Sequence, residues 1–595
     1  MEIYGADVHG IEGRLIRFEA VKNEKRSGVV MIGLPRPVVR EGLQRVAEAL
    51  GSLEGSWSDV LNLQGYTVSM SPSETPKNSS GLDLPLAIMI LQASILQDLD
   101  MLKQQIENLE LKLQKFDNSQ KNQQKKDTLL KQVEELIEQQ KIALKYRKRL
   151  ANNKLKYLMI GTLGIVGGEV RSPEFGMFSM IAAAEKGFNL IVPEDAEIHA
   201  ALIANSRKGI KAYKVENLQE AWDVILGVKS PREAVYKQKK VKYIRPLKHI
   251  PDLKNIDGLS LAKKAMTVAI AGGHNILLVG PAGHGKTMLA KAATALLPQM
   301  NEYELLDVNK IYSASGNLRG NRIVMQRPFV QIQSGATEAA VLGSGRPLRP
   351  GLVSCAHAGI LFFDEINLFN PKLIEQMRTI LSDGRVVRQR ALGNLEFPAK
   401  IIFVAAMNPC KCGWYSHYKC PKCNFTSIDP SKSCHKHPGV QLQNKCTCTK
   451  AQVEHYLRRI SGPMLDRIDL KVLVTSYDDT PKGRGYASST TRKEIDRARN
   501  KQQNRYARDN SVTCNGNLEE KSQLMQYGPV FDKHVKLHFR NTCKHLDISP
   551  RLEDKLMFVS QTLSDLDQTP RIRQRHIDEA VTLMGLDNPY FQAMH

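Results

Sequence analysis

Gly280-Pro281-Ala282-Gly283-His284-Gly285-Lys286-Thr287 follows directly on the apolar run HNILLVG (274–280) and opens into MLAKAATALL. A buried parallel strand, a glycine-rich turn and a helix in immediate succession satisfy the GxxxxGK[ST] pattern in the setting it requires. The glycines let backbone amides turn inward around the α and β phosphates of a nucleotide, at the positive end of a helix. Lys286 is then placed to reach the β and γ phosphates, and the Thr287 hydroxyl to ligate Mg²⁺. The cofactors this stretch asks for are ATP and Mg²⁺, and the fold class it implies is α/β.

Downstream, the apolar strand Ile360-Leu361-Phe362-Phe363 ends in Asp364 and Glu365. Paired acids at a strand's carboxyl end divide two jobs: Asp364 holds Mg²⁺, directly or through water, and Glu365 polarises the attacking water. The next apolar strand, IIFVAAMN (401–408), ends in Asn408, suited to the γ-phosphate or the lytic water. In SGPMLDRIDL (461–470), Arg467 lies between Asp466 and Asp469. Two readings are open there: a salt bridge within the chain, or an arginine presented to a neighbouring subunit's γ-phosphate. Ile548-Ser549-Pro550-Arg551 opens a predicted helix, LEDKLMFVSQTLSDL, from which Arg551 can fold back over bound nucleotide. Residues 252–470 thus read as an ATPase core, and 471–595 as a mostly helical, basic lid.

Seven of the ten cysteines fall between Cys410 and Cys448, and the first 354 residues have none, which favours metal over disulfides. They run Cys410-Lys411-Cys412, Cys420-Pro421-Lys422-Cys423, Cys434-His435-Lys436-His437 and Cys446-Thr447-Cys448. Thiolates and imidazoles at these spacings suit tetrahedral Zn²⁺. One division closes the loop's base with the outer CxC pairs and pins its tip with Cys420, Cys423 and two of Cys434, His435 and His437. No water-activating acid stands beside the cluster, so structural zinc is favoured over catalytic zinc, with reduced, unliganded thiols as the rival. Lys411, Lys419, Lys422, Lys432 and Lys436 make contact with nucleic acid a further reading.

On the amino-terminal side, residues 1–97 alternate strand-like runs with the amphipathic helix PVVREGLQRVAEAL, and LDLPLAIMILQAS after Gly81 reads as a buried helix. In 98–152, apolar residues recur every three or four positions (Leu102, Ile106, Leu109; Leu129, Val133, Leu136), almost without Gly or Pro. The pattern predicts two helices joined near Asn118–Gln124, an antiparallel hairpin that is either a partner-binding arm or an inert insertion. Strand–helix signals resume at 158–228, so the hairpin interrupts one α/β domain, 1–228, which a basic linker (229–251, with KQKKVKYIRPLK) joins to the core.

The formal charge of +23 favours a polyanionic partner such as nucleic acid. Residues 482–508 carry nine Lys or Arg against two acids, which suits phosphate contact, with a solvated helix face as the alternative. No apolar run is long enough to span a bilayer, and MEIYGADVHG lacks the features of a secretory signal, so a cytoplasmic location and no membrane partner are expected.

With these residues in view, the chain resembles the ComM/YifB family of magnesium-chelatase-like AAA+ ATPases. The resemblance is carried by GLPRPVVREGLQRV (33–46), GLDLP (81–85), RPF (327–329), GSGRPLRPGLVSCAHAGILFFDE (343–365), AAMNPCKCG (405–413), SGPMLDRIDL (461–470) and the 549–551 turn. It covers nearly the whole chain apart from 98–152 and the enlarged cysteine loop. It implies a Lon-like (ribosomal S5 domain 2-like) α/β domain, an AAA+ core with chelatase-type and zinc-binding insertions, and a helical lid. Members are regarded as hexameric rings that move along single-stranded or branched DNA and drive branch migration during natural transformation, which implies a helicase-like translocase. The resemblance further implies that Gly280–Thr287 is the P-loop, Asp364 and Glu365 Walker B, Asn408 sensor 1, Arg467 the trans finger and Arg551 sensor 2. The family's zinc-binding CxC pairs fall on Cys410, Cys412, Cys446 and Cys448; Cys420, Cys423 and Cys434 are additional and leave a second metal open.

Two departures stand out. Where the family has an Arg-x-Pro-His-His run, this chain has Val330-Gln331-Ile332-Gln333, which alters substrate grip if the stretch lines a pore or hairpin. No serine sits in a GPSAG-like setting near 76–83, and FGMFSMIAAAEKG offers no dyad lysine, so a scaffold or DNA-loading role is expected rather than peptide cleavage. The alternative function is a protein-remodelling ATPase of the metal-chelatase type.

Overall fold

The computed structural model describes residues 2–22, 28–51, 53, 65–114, 123–236, 242–390, 393–423, 426–427, 431, 434, 437–475, 487–507, 512–527 and 530–594. The chain forms two compact units, Met1–Tyr243 with Asn309–Ile323, and Ile244–Val308 with Val324–His595.

The first unit is built on a seven-stranded mixed sheet of β1 (Glu2–His9), β2 (Glu12–Lys22), β3 (Val29–Ile32), β4 (Tyr66–Ser71), β5 (Lys156–Met159), β6 (Phe188–Pro193) and β7 (Lys211–Val215), in the order β3-β4-β2-β1-β5-β6-β7. Every residue of FNLIVP in β6 is buried, as a continuous apolar strand inside a parallel region demands. Helices α1 (Pro37–Gly51), α2 (Asp83–Gln114) and α3 (Gln123–Asn152) accompany the sheet. The buried Asp83 carboxylate accepts from Arg45 Nε of α1 at 2.8 Å and from the Leu163 amide at 3.2 Å. The buried run after Gly81 is helical, as its sequence indicates, but it does not stop at residue 97. Helix α2 continues unbroken to Gln114, so one arm of the helical pair grows out of a core helix. Leu99 and Leu102 pack with Ala143 and Leu136 of α3, an antiparallel register. Residues 115–122, where the predicted joint falls, lie outside the described residues.

Residues 309–323, read from sequence as part of 252–470, belong to this first unit. The Phe178 amide donates to Ser313 Oγ at 3.0 Å, the Gly176 amide to the Ser313 carbonyl at 2.9 Å, and His199 Nε2 lies 2.7 Å from the Arg322 carbonyl.

The second unit contains a five-stranded, wholly parallel sheet: β8 (Ile276–Val279), β9 (Phe329–Ile332), β10 (Ile360–Phe363), β11 (Ile402–Met407) and β12 (Leu470–Leu473), in the order β9-β10-β11-β8-β12. All residues of β8, β10 and β11 are buried. The strand that leads into the P-loop therefore lies between β11 and β12, and the carboxyl ends of β8, β10 and β11 open on the same edge, where α/β sheets bind ligands. Helices α4 (Lys286–Ala292), α5 (Pro371–Asp383), α6 (Ser488–Arg505), α7 (Lys533–His545), α8 (Pro550–Leu566) and α9 (Gln574–Met584) complete the elements needed here. One hydrophobic core holds Ile276, Leu278, Phe362 and Val404 together with Ile495, Leu556, Val559 and Ile577, so the carboxy-terminal helices share the ATPase core.

Two stretches marked in the sequence take their place here. Val330–Ile332 belongs to β9 at the sheet's edge, paired to β10 (Val330↔Leu361, Ile332↔Phe363), so that departure falls on a strand of the parallel sheet, with Gln333 just beyond its end. Arg327, of the RPF run, is a clamp. It meets both carboxylate oxygens of Glu304 at 2.9 and 2.7 Å, and donates to the carbonyls of Pro298 (2.9 Å), Gln299 (3.1 Å) and Ala358 (2.7 Å). Both partners are largely buried. Arg327→Ala leaves Glu304 unpaired, and a stability loss of about 3 kcal/mol is expected, read as a lowered unfolding midpoint of the intact chain.

Candidate functional site

Gly283 and Gly285 have φ of +77° and +76°, the left-handed region that lets successive P-loop amides face one centre. A Cβ on Gly280 would lie 2.6 Å from the Val474 carbonyl, so the start of the loop admits no side chain. Pro281, Ala282 and His284 complete the turn, and His284 Nδ1 lies 3.0 Å from the Ala282 carbonyl. Lys286, 8% exposed, donates from Nζ to the carbonyls of Gly280 (2.5 Å) and Pro281 (2.9 Å) and to Asn408 Oδ1 (3.2 Å). Burial pulls its pKa down to about 8, against the opposing pull of Asp364 and Glu365.

Thr287 Oγ1 donates to Asp364 Oδ2 at 2.9 Å, so the two groups expected to share Mg²⁺ already meet. These donors fit the ion: a hydroxyl and a carboxylate, hard oxygens that hold Mg²⁺ alongside phosphate. Bound there, it neutralises charge on the β and γ phosphates. Glu365 has φ +54° and is exposed, so the chain leaves the sheet in a conformation that non-glycine residues rarely adopt. It stands at the water-facing side of the site, where a group that polarises water is needed.

Among the described residues, Arg467 has a hydroxyl and a carbonyl as hydrogen-bond partners and no salt bridge to either flanking acid. Asp469 is turned inward and accepts from the Asn275 amide at 3.0 Å; against its burial, the charge of Lys555 and the hydrogen bond from His274 hold its carboxyl well below the usual range. Arg467 instead donates to Ser382 Oγ of α5 at 3.0 Å and to the Pro463 carbonyl at 3.3 Å. Its pKa is lowered by burial, then by the charges of Arg551 and Arg378. Arg551 is exposed in the first turn of α8, whose amino end is capped by Ser549. Arg551 and Arg378 thus lie close enough to Arg467 to act on it, with Asp466 and Glu375 opposing them and Arg378 itself paired to Glu375.

The cysteines assemble into two separate sets, each with its donor atoms within 4.8 Å of one another: Cys410, Cys412, Cys446 and Cys448, and Cys420, Cys423, Cys434 and His437. In the first, sulfur separations of 3.2 to 3.7 Å are too long for disulfides and close to the edge of a zinc–thiolate tetrahedron, roughly 3.8 Å for Zn–S of about 2.3 Å. This set fits the zinc implied by the family resemblance. Zinc held there ties residues 410–412, immediately after Asn408, to 446–448. His435, Lys432 and Lys436 lie outside the described residues.

Two features were not foreseen in the sequence. The Trp414 ring stands edge-on to His284 of the P-loop, with centroids 6.1 Å apart, and Lys419 Nζ lies 5.5 Å from the Trp414 centroid, so the cysteine loop leans on the nucleotide site. The second concerns charge. Of the basic residues counted in 482–508, Arg499 donates to the Ile270 carbonyl (2.8 Å), Lys501 to the Thr569 carbonyl (2.6 Å) and Arg505 to Asp565 (2.9 Å). Lys482, Arg484 and Arg508 lie outside the described residues. By contrast, Lys533, Lys536, Arg540 and Lys544 are all exposed on α7, three or four positions apart, and none has an ion pair among the described residues. The absence of any acid from KHVKLHFRNTCKH was the available signal.

Among known proteins, the model for "Magnesium chelatase, subunit ChlI" matches residues 252–437 and 422–481, that for "Magnesium chelatase, subunit ChlI C-terminal" matches 485–584, and that for "Subunit ChlI of Mg-chelatase" matches 19–114. Together with the P-loop, the paired acids and the parallel sheet, they define a magnesium-chelatase-like AAA+ ATPase. Competence protein ComM of Haemophilus influenzae is 27% identical over 588 residues, covering 97% of this chain and 96% of its own. YifB of Escherichia coli is 26% identical over 587 residues, with 97% and 96% covered. The magnesium-chelatase 38 kDa subunit of Acidiphilium rubrum is 29% identical over 157 residues, 22% of this chain and 45% of its own. This chain belongs to the ComM/YifB family. Among the described residues, no helix is long and apolar enough to cross a membrane.

Proposed function

We propose that this protein is an ATP-driven DNA motor that promotes branch migration of recombination intermediates during uptake and integration of DNA. In this reading it works in the cytoplasm as a ring, a hexamer by family resemblance, with Arg467 completing the neighbour's ATP site. The first unit is then a Lon-like domain without peptidase chemistry, acting as a scaffold or DNA loader. Its helical pair is available to a protein partner.

The observation that carries the DNA reading is the row of unpaired cations on α7, Lys533, Lys536, Arg540 and Lys544. Side chains at this spacing share one helix face and can follow a phosphate backbone without reading sequence. The net charge of +23 and the similarity to a competence protein point the same way.

The test is a variant with all four residues changed to glutamate, assayed for DNA-stimulated ATPase and for DNA affinity across a salt series. Stimulation should be lost, and the slope of log affinity against log salt should fall by about 3 to 4 on duplex DNA, one counterion step for each contact. ATP turnover without DNA reports whether the variant has folded. If the unmodified protein hydrolyses ATP at one rate with single-stranded, duplex and forked DNA and without any, the DNA reading fails. The chelatase-type alternative, remodelling of a protein partner, then takes its place.

A further inference from the structure

We propose that Cys420, Cys423, Cys434 and His437 form a second zinc site, distinct from the set at the loop's base, with His437 ligating through Nδ1. The two sets share no donor. Cys423 Sγ and Cys434 Sγ lie 3.3 Å apart, and His437 Nδ1 is 3.7 Å from the sulfurs of both Cys420 and Cys434. Three thiols and one imidazole nitrogen converge as a closed donor set for a tetrahedral ion, and no carboxylate belongs to it. Such a set, with no position left for substrate, is that of a structural site.

The surrounding chain supports the assignment independently of the donors. Cys420-Pro421-Lys422-Cys423 makes a tight turn that brings the sulfurs of Cys420 and Cys423 within 4.8 Å of each other. A second turn is closed by the His437 amide donating to the Cys434 carbonyl at 3.0 Å, and it brings both ligands to one side. The sheet beside these turns consists of Tyr418–Lys419, Thr426–Ser427 and Gln443–Asn444, strands of two residues each. Its buried cluster is Cys420, Cys434 and Leu442. Ordering a segment this long costs roughly 1 to 2 kcal/mol per residue in backbone entropy, which so small an apolar cluster does not offset. A bound ion does, because its binding energy becomes folding energy. Two of the three thiols are buried, with Cys420 0% and Cys434 1% exposed, and Cys423 is half-buried beside them.

Metal analysis of the purified full chain tests this. Two zinc ions per chain are expected in the unmodified protein. One is expected in Cys420→Ser/Cys423→Ser, one in Cys446→Ser/Cys448→Ser and one in His437→Ala, whereas His435→Ala should keep two. Only one ion in the unmodified protein, unaffected by Cys420→Ser/Cys423→Ser, overturns the proposal, as do two ions retained in that variant or in His437→Ala. Because serine variants can fail to fold, the cobalt-loaded protein supplies a second measurement. His437→Cys keeps four donors and should bind two cobalt ions, with added thiolate-to-cobalt absorption relative to the parent. An unchanged spectrum removes His437 from the site and overturns the assignment.

Discussion

ATP turnover in Lys286→Ala is expected to fall by at least about a hundredfold, the scale of removing a fixed charge from a phosphoryl-transfer site. The cause is visible in the loop, where the Lys286 ammonium is held by the Gly280 and Pro281 carbonyls and by Asn408 Oδ1. It is pre-positioned at the mouth of the loop, and phosphate oxygens replace carbonyls as its partners. Glu365→Gln should give a comparable loss while keeping nucleotide affinity, because it removes the group that polarises water.

Lys286 also sets a pH dependence. Its pKa in the free protein is lowered from 10.5 to about 8, and phosphate contact favours the ammonium. ATP affinity should therefore be flat below about pH 8 and weaken as pH rises through that value, by up to about tenfold per unit. The stability of the free protein moves the other way. The unfolded chain holds this proton up to 10.5 and the folded one only to about 8, so Lys286's contribution improves with pH across that window. Titration with a fluorescent nucleotide from pH 6.5 to 9.5 checks the affinity, and Lys286→Ala should remove this component of the slope.

Arg467→Ala is expected to lower turnover by about a thousandfold or more, the range measured for arginine fingers. Within the chain, Arg467 has a hydroxyl and a carbonyl as partners and two arginines nearby, while Asp469 is committed to Lys555. A mixture with Glu365→Ala separates a role in trans from a structural one. Each variant alone lacks one part. At a mixed interface, the intact Glu365 of one subunit meets the intact Arg467 of its neighbour. Partial recovery on mixing is the expected result, and no recovery in rings shown to exchange subunits excludes the trans role.

These groups were legible in the sequence for a physical reason. Strands β8, β10 and β11 are buried, so each is an unbroken apolar run, and the P-loop, Asp364 with Glu365, and Asn408 follow at their carboxyl ends. Asp364, Glu365 and Asn408, one or two residues beyond their strands, and the loop that opens beyond Val279 travel with those strands. The reading was weaker wherever function depends on which side of a helix faces water. Residues 482–508 and 533–545 are both basic, yet the first spends Arg499, Lys501 and Arg505 on carbonyls and Asp565, and the second leaves a cationic row exposed. Composition counts charges without their partners.

Local pattern thus determined the P-loop, the paired acids, Asn408 and the concentration of cysteines, because each depends on neighbours along the chain or on the end of a buried strand. Only the tertiary structure decided that the Arg327 clamp ties Glu304 to three carbonyls, that residues 309–323 complete the first unit, that Trp414 stands against His284, and that the cysteines divide into two sets with His437 in the second. Each of those outcomes joins groups far apart in sequence, and the free energy that selects them comes from burial and pairing, which exist only once the chain has folded.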